Sequence, residues 1–131
     1  MKTITYELAD KLTAAAYNNG GATFTLDGKE VTNGYCIGGG IIADGDALYR
    51  IDATQYPRAV AGQIFMVLKA YRNKLQEFDA VGIWLSDGII YLDAVTIESD
   101  FIRAVVKGLS RQQQAIGQLD KGTYIEHQLH S

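Results

Sequence analysis

The 131-residue sequence has little of several residue types that define whole classes of protein. It contains one cysteine, Cys36, which excludes an internal disulfide framework and a zinc site built on several thiolates. It contains one proline, which excludes collagen-like and proline-rich chains. No stretch reaches the roughly 18 apolar residues that cross a bilayer, and residues 1–7 lack the apolar run of a secretory signal. The sequence therefore predicts a cytoplasmic protein, with no membrane contact, in which Cys36 stays reduced.

Positive charge is not in surplus either. The 12 Lys and Arg residues face 15 Asp and Glu residues, which gives a net charge of −3. A groove that follows nucleic-acid phosphates usually needs a basic excess, so this balance argues against a nucleic-acid partner. What the chain has in quantity is apolar residues, 47% of the total, enough for one buried core at this length. A chain that can bury this much apolar surface is not predominantly disordered.

The order of the segments predicts an α+β fold. Helices are expected at residues 5–18, at 58–78 and after the capping segment Glu98-Ser99-Asp100, the second being the main core helix because its apolar residues recur every three or four positions. The third helix is expected to turn Phe101, Val105 and Leu109 inward. Strands are expected at residues 22–26, 35–42, 48–51, 80–85, 89–97, 114–119 and 123–125.

This order, α-βββ-α-ββ-α-ββ, joins neighbouring strands by tight turns such as Asp27-Gly28 and Asp44-Gly45. Strands joined in this way are antiparallel, so a mainly antiparallel sheet with the helices on one face is predicted. Residues 1–131 are expected to form a single domain, with residues 127–131 as a frayed tail.

Cys36 is a candidate nucleophile, with His127 or His130 as its base. Activated cysteines, however, usually lie at a helix N-terminus or beside a fixed positive charge, whereas Cys36 falls within a predicted strand. A buried, unreactive thiol is the alternative that this placement favours.

Gly38, Gly39 and Gly40 form a candidate ligand-binding loop, because glycines let backbone N–H groups approach a phosphate. The segment that follows is a predicted strand and not a helix, so a bend in the strand is the simpler interpretation. No metal or cofactor is predicted.

Two segments with acidic residues are candidate metal sites, and each has a simpler explanation. Asp44-Gly45-Asp46 resembles part of a calcium loop but lacks the terminal glutamate. Glu126, His127 and His130 are more typical of a solvated end of the chain than of a metal site.

Two groups of residues are candidate binding surfaces. Arg103, Lys107 and Arg111 recur every four positions on the third predicted helix. They form either a basic stripe for an acidic partner or a phosphate backbone, or an ordinary solvated face, which is the favoured interpretation. Trp84 and Tyr91 lie on strands that form a predicted hairpin, and alternation puts Trp84 on the opposite face from Ile83 and Leu85. Either Trp84, with Tyr91, lies on the face without helices, or Trp84 lies in the core and Ile83 and Leu85 face outward. In the first case, an apolar patch there would favour a homodimer with Trp84 near its interface.

Several short segments resemble a family of small, uncharacterised proteins of bacteriophages and mobile elements. They are the Gly34-Tyr35-Cys36-Ile37 segment, Trp84 followed by Gly88-Ile89-Ile90-Tyr91-Leu92-Asp93, and a Gln-x-Ile-x-x-Leu-x-x-Gly-x-x-Ile ending over residues 114–125. Together with residues 22–24 they keep the order and spacing of that pattern across residues 22–126. The resemblance implies an accessory protein that acts in the host cytoplasm by binding a host or phage macromolecule. Antagonism of a host defence system is one of the roles that it implies. It supplies no catalytic residue.

The sequence therefore favours a non-enzymatic binding protein over an enzyme. A small-molecule or nucleotide binder using Gly38, Gly39 and Gly40 is the alternative, and a Cys-His hydrolase is a third hypothesis.

Overall fold

The computed structural model describes residues 1–42 and 47–130. The predicted Asp44-Gly45 turn and the calcium-like Asp44-Gly45-Asp46 segment lie outside these residues. Within them, the chain forms one α+β domain, as predicted, in the element order α-βββ-αα-ββ-α-ββ. None of the described helices is long and apolar enough to cross a membrane.

The elements are numbered in chain order. The described helices are α1 (Tyr6–Asn19), α2 (Pro57–Ala70), α3 (Arg72–Leu75) and α4 (Phe101–Ser110). The described strands are β1 (Gly21–Phe24), β2 (Gly34–Gly38), β3 (Tyr49–Asp52), β4 (Ala80–Ser86), β5 (Ile89–Glu98), β6 (Ala115–Asp120) and β7 (Thr123–Gln128).

Local sequence sets the ends of the helices. The hydroxyl of Thr5 accepts the N–H of Leu8 and begins α1, and Gly20 ends that helix with a φ of 81°. Pro57 stands in the first turn of α2, where its missing N–H leaves no intrahelical bond unmade. The carboxylate of Asp100 caps α4 by accepting the N–H of Arg103. All four of these signals are visible in the sequence.

All seven strands pair antiparallel in one sheet of order β1-β4-β5-β2-β6-β7, with β3 also paired to β5. The long strand β5 therefore has two partners along one edge, β3 near its start and β2 near its end. The sheet curls strongly, since Thr23 on β1 hydrogen-bonds the thiol of Cys36 on β2 although two strands separate them in the sheet order.

The helices pack on one face of the sheet. Ile64 and Leu68 of α2 are fully buried in a cluster that includes Ile83 of β4 and Leu92 of β5. A second, smaller cluster joins α4 to the far end of the same face, and its buried members are Ile37, Ala104 and Ile116. The prediction of a sheet covered by helices on one face is confirmed. Ile64, Leu68 and Leu75, which are apolar residues of the predicted main core helix, are fully buried.

The predicted helix 58–78 is two helices. The helical hydrogen bonding is interrupted at Tyr71, between the end of α2 and the start of α3. There the Arg72 guanidinium donates to the carbonyl of Lys69 at 2.9 Å and so satisfies one of the carbonyl groups that the end of α2 leaves without an intrahelical partner.

The end of β2 and the end of the described chain also differ from the predictions. The predicted strand 35–42 stops at Gly38, so Gly39 and Gly40 lie outside the ladder, both with positive φ. The predicted frayed tail is instead partly ordered, because β7 includes His127 and Gln128 and the N–H of Leu129 donates to Gln114.

The prediction that α4 turns Phe101, Val105 and Leu109 inward is wrong for the two largest side chains. Phe101 is 40% exposed and Leu109 46% exposed, while Val105 is half-buried. The face of α4 that meets the sheet consists of Ala104 and Gly108. A Cβ atom on Gly108 would lie 2.7 Å from the Ile116 side chain, so the helix lies too close to the sheet for larger residues there.

Candidate functional site

The face of the sheet opposite the helices carries a row of side chains that crosses neighbouring strands. Arg50 of β3 is opposite Tyr91 of β5, Tyr91 is opposite Trp84 of β4, and Trp84 is opposite Gly21 of β1. Side chains directly opposite each other in an antiparallel sheet point to the same face and touch. We call Arg50, Tyr91 and Trp84 the aromatic row.

The rings of the aromatic row stack on one another. The Trp84 and Tyr91 ring centroids are 5.3 Å apart with an interplanar angle of 10°, and the Arg50 guanidinium carbon lies 5.6 Å from the Tyr91 centroid. Trp84 is 42% exposed, whereas its neighbour Ile83 is buried against the helices. Of the two orientations that strand alternation allows, the structure has the one with the tryptophan on the open face.

Gly21 leaves this surface open, because it has no side chain to cover the free flank of Trp84, and a Cβ there would meet the backbone of β4. The exposed surface continues toward the β4–β5 turn, where Ile89 is also exposed and lies opposite Asp52 and Ser86. The result is a partly apolar patch with an arginine at one end.

The predicted basic stripe on α4 is not continuous. Arg103 is exposed and Lys107 half-buried, but Arg111 turns into the fold. Its guanidinium donates to the hydroxyl of Thr96 at 2.9 Å and lies 5.5 Å from the centroid of the Phe78 ring. The surface of α4 therefore carries two neighbouring cations and not three.

The glycine segment already has a hydrogen-bond acceptor beside it, the carboxyl group of Asp93. One carboxylate oxygen accepts the N–H of Gly39 at 3.0 Å, the other accepts the N–H of Ala94 at 2.9 Å, and the N–H of Leu48 is a further donor. A Cβ on Gly38 would come within 2.5 Å of this carboxylate. Gly38 and Gly39 thus serve the close approach of Asp93, and their N–H groups are not arranged as an empty phosphate cradle.

Gly40, the third residue of the predicted ligand loop, also has a packing role. It is exposed and lies beyond the end of β2, with a φ of 100° that favours glycine. A Cβ there would lie 3.1 Å from the Phe78 ring and 3.2 Å from Nε of Arg111, so a side chain would press on that stacked pair. The contacts of Gly38, Gly39 and Gly40 are therefore close packing of the backbone, which agrees with the structural interpretation that the sequence favours over a ligand loop.

Asp93 is 4% exposed, in the stretch of β5 between its pairing with β3 and its pairing with β2. Burial raises the pKa of Asp93 to about 7, against the opposing effect of the backbone donors and the Arg111 charge. Through the N–H groups of Gly39 and Leu48, this carboxyl group binds the residue that follows β2 and the residue that precedes β3, at the point where these two strands adjoin along β5.

Cys36 and His127 do not form a catalytic pair. Tyr35 and Cys36 are consecutive in β2, so their side chains point to opposite faces, and the Tyr35 ring contacts the His127 ring at 6.1 Å between centroids. His127 thus lies on the α4 side of the sheet and Cys36 on the other. Burial raises the pKa of the Cys36 thiol to about 11, which keeps it protonated and unreactive at neutral pH.

The His127 side chain is held by contacts with neighbouring side chains. Its Nε2 lies 2.9 Å from the side-chain oxygen of Gln118, and its ring meets the Phe101 ring edge-on at 5.3 Å between centroids. Within residues 1–42 and 47–130, no group of three or more His, Cys, Asp or Glu side chains could hold a metal ion.

Sequence reasoning missed Arg50 and Asp93. Nothing in the segment Tyr49-Arg50-Ile51 marks the arginine, because its place beside Tyr91 depends on the register between β3 and β5. Asp93 did carry a signal: it is the one charged residue in the otherwise apolar run from Ile89 to Val95. A carboxylate within such a run is buried and therefore needs specific donors.

No family model matches this chain, and no curated protein or solved structure matches it either.

Proposed function

We propose that this protein is a non-enzymatic binding protein that docks a partner protein on the aromatic row. The observation that carries the proposal is the exposed Trp84–Tyr91 stack with Arg50 beside it, on the sheet face that no described helix covers. Tryptophan, tyrosine and arginine are the residues most enriched at the energetic centres of protein interfaces.

The packing within the row supports this role. Because Trp84 already stacks on Tyr91, the indole is ordered before binding, and little side-chain entropy remains to be lost on docking. The Arg50 guanidinium lies over the Tyr91 ring and adds a positive charge at the edge of an apolar surface. A partner with an apolar centre fits this arrangement.

The resemblance to small phage and mobile-element proteins gives this role a biological context. On that basis the partner is a host or phage protein in the host cytoplasm, and antagonism of a host defence system is one outcome of the binding. The positions of Cys36 and His127 on opposite faces support binding over hydrolysis. The use of the Gly39 N–H by Asp93 supports protein binding over nucleotide binding at the glycines.

Binding can be followed through Trp84, the sole tryptophan of the chain. Tagged protein is incubated with lysate of a bacterial host, and captured proteins are identified and purified. The purified partner is then titrated against this protein, by fluorescence where the partner lacks tryptophan and by calorimetry otherwise. Docking on the row is expected to shift the Trp84 emission to shorter wavelength as the indole leaves water.

Matched variants decide whether the row is the binding surface. Trp84→Ala and Arg50→Ala are each expected to weaken binding at least tenfold, as for residues at the centre of an interface. Met66→Ala is the control, because Met66 is also an exposed apolar residue but lies on α2, on the other side of the sheet. Binding that survives both row substitutions, or that is lost equally in the control, contradicts the proposal.

A further inference from the structure

The outer edge of β7 is an unprotected sheet edge. Within the described chain β7 pairs only with β6, in a register that runs without interruption from Asp120–Thr123 to Ala115–Gln128. Natural edge strands are often protected from pairing with another chain by charged side chains, lysine especially, by a proline or by a bulge. Residues 123–128 contain neither lysine nor proline, Glu126 is their one carboxylate, and the continuous register leaves no bulge. An edge of this kind is a template for a further strand.

At the opposite end of the sheet, the outer edge of β1 is covered by the chain that follows it. The N–H of Val31 donates to the carbonyl of Thr23 at 2.8 Å, and the N–H of Thr25 donates to Lys29 at 2.8 Å, so the chain itself covers the outer edge of β1. The third edge belongs to β3, which has only four residues. The six-residue strand β7 is thus the longest edge that the described chain leaves uncovered.

The turn between β6 and β7 determines which backbone groups point outward. Lys121 and Gly122 both have positive φ, 51° and 83°, as in a two-residue type I′ hairpin. Such a turn makes Asp120 and Thr123 a hydrogen-bonded pair, after which bonded and non-bonded pairs alternate. The N–H and carbonyl groups of Tyr124, Glu126 and Gln128 therefore face away from β6.

We propose that two copies of this chain associate through β7, paired antiparallel about a twofold axis that passes beside Ile125. A twofold axis normal to the sheet keeps every side chain on its own face, so facing residues are an even number of positions apart. With the axis at Ile125, this residue faces the partner's Ile125, and Tyr124 faces the partner's Glu126. About four backbone hydrogen bonds then form between the outward groups of Tyr124 and Glu126 in the two chains.

Avoidance of like charges selects this register, and the match of the exposed Ile125 with its own copy favours a second copy of this chain as the occupant. Glu126 is the one carboxylate in residues 123–128. Centring the pair on Glu126 would place two carboxylates opposite each other, which is unfavourable. Centring it on Tyr124 would bring Gly122 of the turn opposite Glu126 and shorten the paired region. Centring it on Ile125 brings together two exposed apolar side chains, each 42% exposed, and separates the carboxylates.

This interface is separate from the aromatic row, which lies on the other half of the sheet, with β5, β2 and β6 between β4 and β7. It therefore differs from the dimer expected from sequence, in which Trp84 lies near the interface. The docking of a partner on Trp84 and the pairing of β7 can occur together or independently.

Sedimentation of the full chain from micromolar to millimolar concentration tests the proposal. The wild-type protein is expected to dimerise, and Ile125→Arg is expected to weaken dimerisation at least tenfold by placing two guanidinium groups opposite each other. Ile102→Arg, at an exposed position on α4, is the matched control and is expected to dimerise like the wild type. Glu126→Pro removes an outward N–H while leaving the pairing with β6, and it is also expected to be monomeric.

Crosslinking tests the register in the Cys36→Ala background. Ile125→Cys is expected to form an interchain disulfide faster than Glu126→Cys, because only the former places identical residues directly opposite each other. A wild-type protein that stays monomeric throughout overturns the proposal, as does a dimer that Trp84→Ala abolishes and Ile125→Arg does not. Faster crosslinking at Glu126→Cys overturns the axis at Ile125.

Discussion

The carboxylate of Asp93 accepts the N–H of Gly39 at 3.0 Å and thereby joins the middle of β5 to the residue that follows β2. This bond relates two features that look unconnected in the sequence, an aspartate within an apolar strand and the consecutive glycines Gly38 and Gly39. The carboxyl group needs donors because it is buried, and the glycines allow the backbone to come close enough to supply one.

We expect the free energy of unfolding to depend on the protonation of Asp93. An unfolded aspartate has a pKa of about 3.9, whereas burial raises the pKa of Asp93 to about 7 in the folded protein. Between these values the folded state holds a proton that the unfolded state has released. The stabilisation is therefore complete below about pH 4 and is lost as the pH rises through about 7, up to roughly 4 kcal/mol in total.

Urea unfolding of the wild type and Asp93→Asn across this range measures the effect. The wild type is expected to lose stability relative to Asp93→Asn as the pH rises. Asp27 and Asp52, whose pKa values are lowered by hydrogen bonds from Thr25 and Thr54, are present in both proteins and cancel in the comparison. A carboxyl titration of Asp93 by NMR with a midpoint below 4 would contradict the expectation.

Substituting Gly38 tests the close packing at the same carboxylate. In Gly38→Ala the new Cβ would lie 2.5 Å from an Asp93 oxygen that backbone donors hold in place. We expect a loss of roughly 1–3 kcal/mol from overpacking. Gly62→Ala in α2 is the control, since its Cβ would meet nothing closer than 3.8 Å, and it is expected to stabilise by about 0.5–1 kcal/mol. Equal stability of the two variants would refute the account of the glycines.

Leu68→Ala is expected to destabilise the protein by roughly 2–5 kcal/mol. Leu68 is fully buried between α2 and the sheet, so truncation removes apolar contact and leaves a cavity. Met66→Ala, two positions earlier on the solvent side of α2, is the control and is expected to change stability by no more than about 0.5 kcal/mol. Chemical denaturation of both variants makes the comparison, and an unchanged midpoint for Leu68→Ala would contradict the core assignment.

The sequence predicts most of the fold because its signals are local. The N-caps Thr5 and Asp100, the ending of α1 at Gly20 and the apolar spacing around Leu68 each depend on a few neighbouring residues. The orientation of α4 could not be predicted in this way. Its inward face is decided by how closely Ala104 and Gly108 approach β6, which is a tertiary property that the apolar pattern does not encode.

The candidate site shows the same division. Trp84 and Tyr91 follow from strand alternation and one hairpin, which the sequence makes visible. Arg50 joins them only through the pairing of β3 with β5, two strands that are distant in the chain. The separation of Cys36 from His127 likewise depends on which face of two distant strands each side chain takes.

The last prediction concerns the reactivity of Cys36. Its thiol is half-buried on the curled face of the sheet and hydrogen-bonded to Thr23, and burial raises its pKa to about 11. At neutral pH almost none of it is thiolate, which is the form that reacts with iodoacetamide. We expect labelling of the folded protein to be at least tenfold slower than labelling in urea, and to quicken as the pH approaches 11. Cys36→Ala is expected to leave partner binding on the aromatic row unchanged. Labelling of the folded protein at neutral pH as fast as in urea would show that the thiol has a normal or lowered pKa, and would return Cys36 to consideration as a nucleophile.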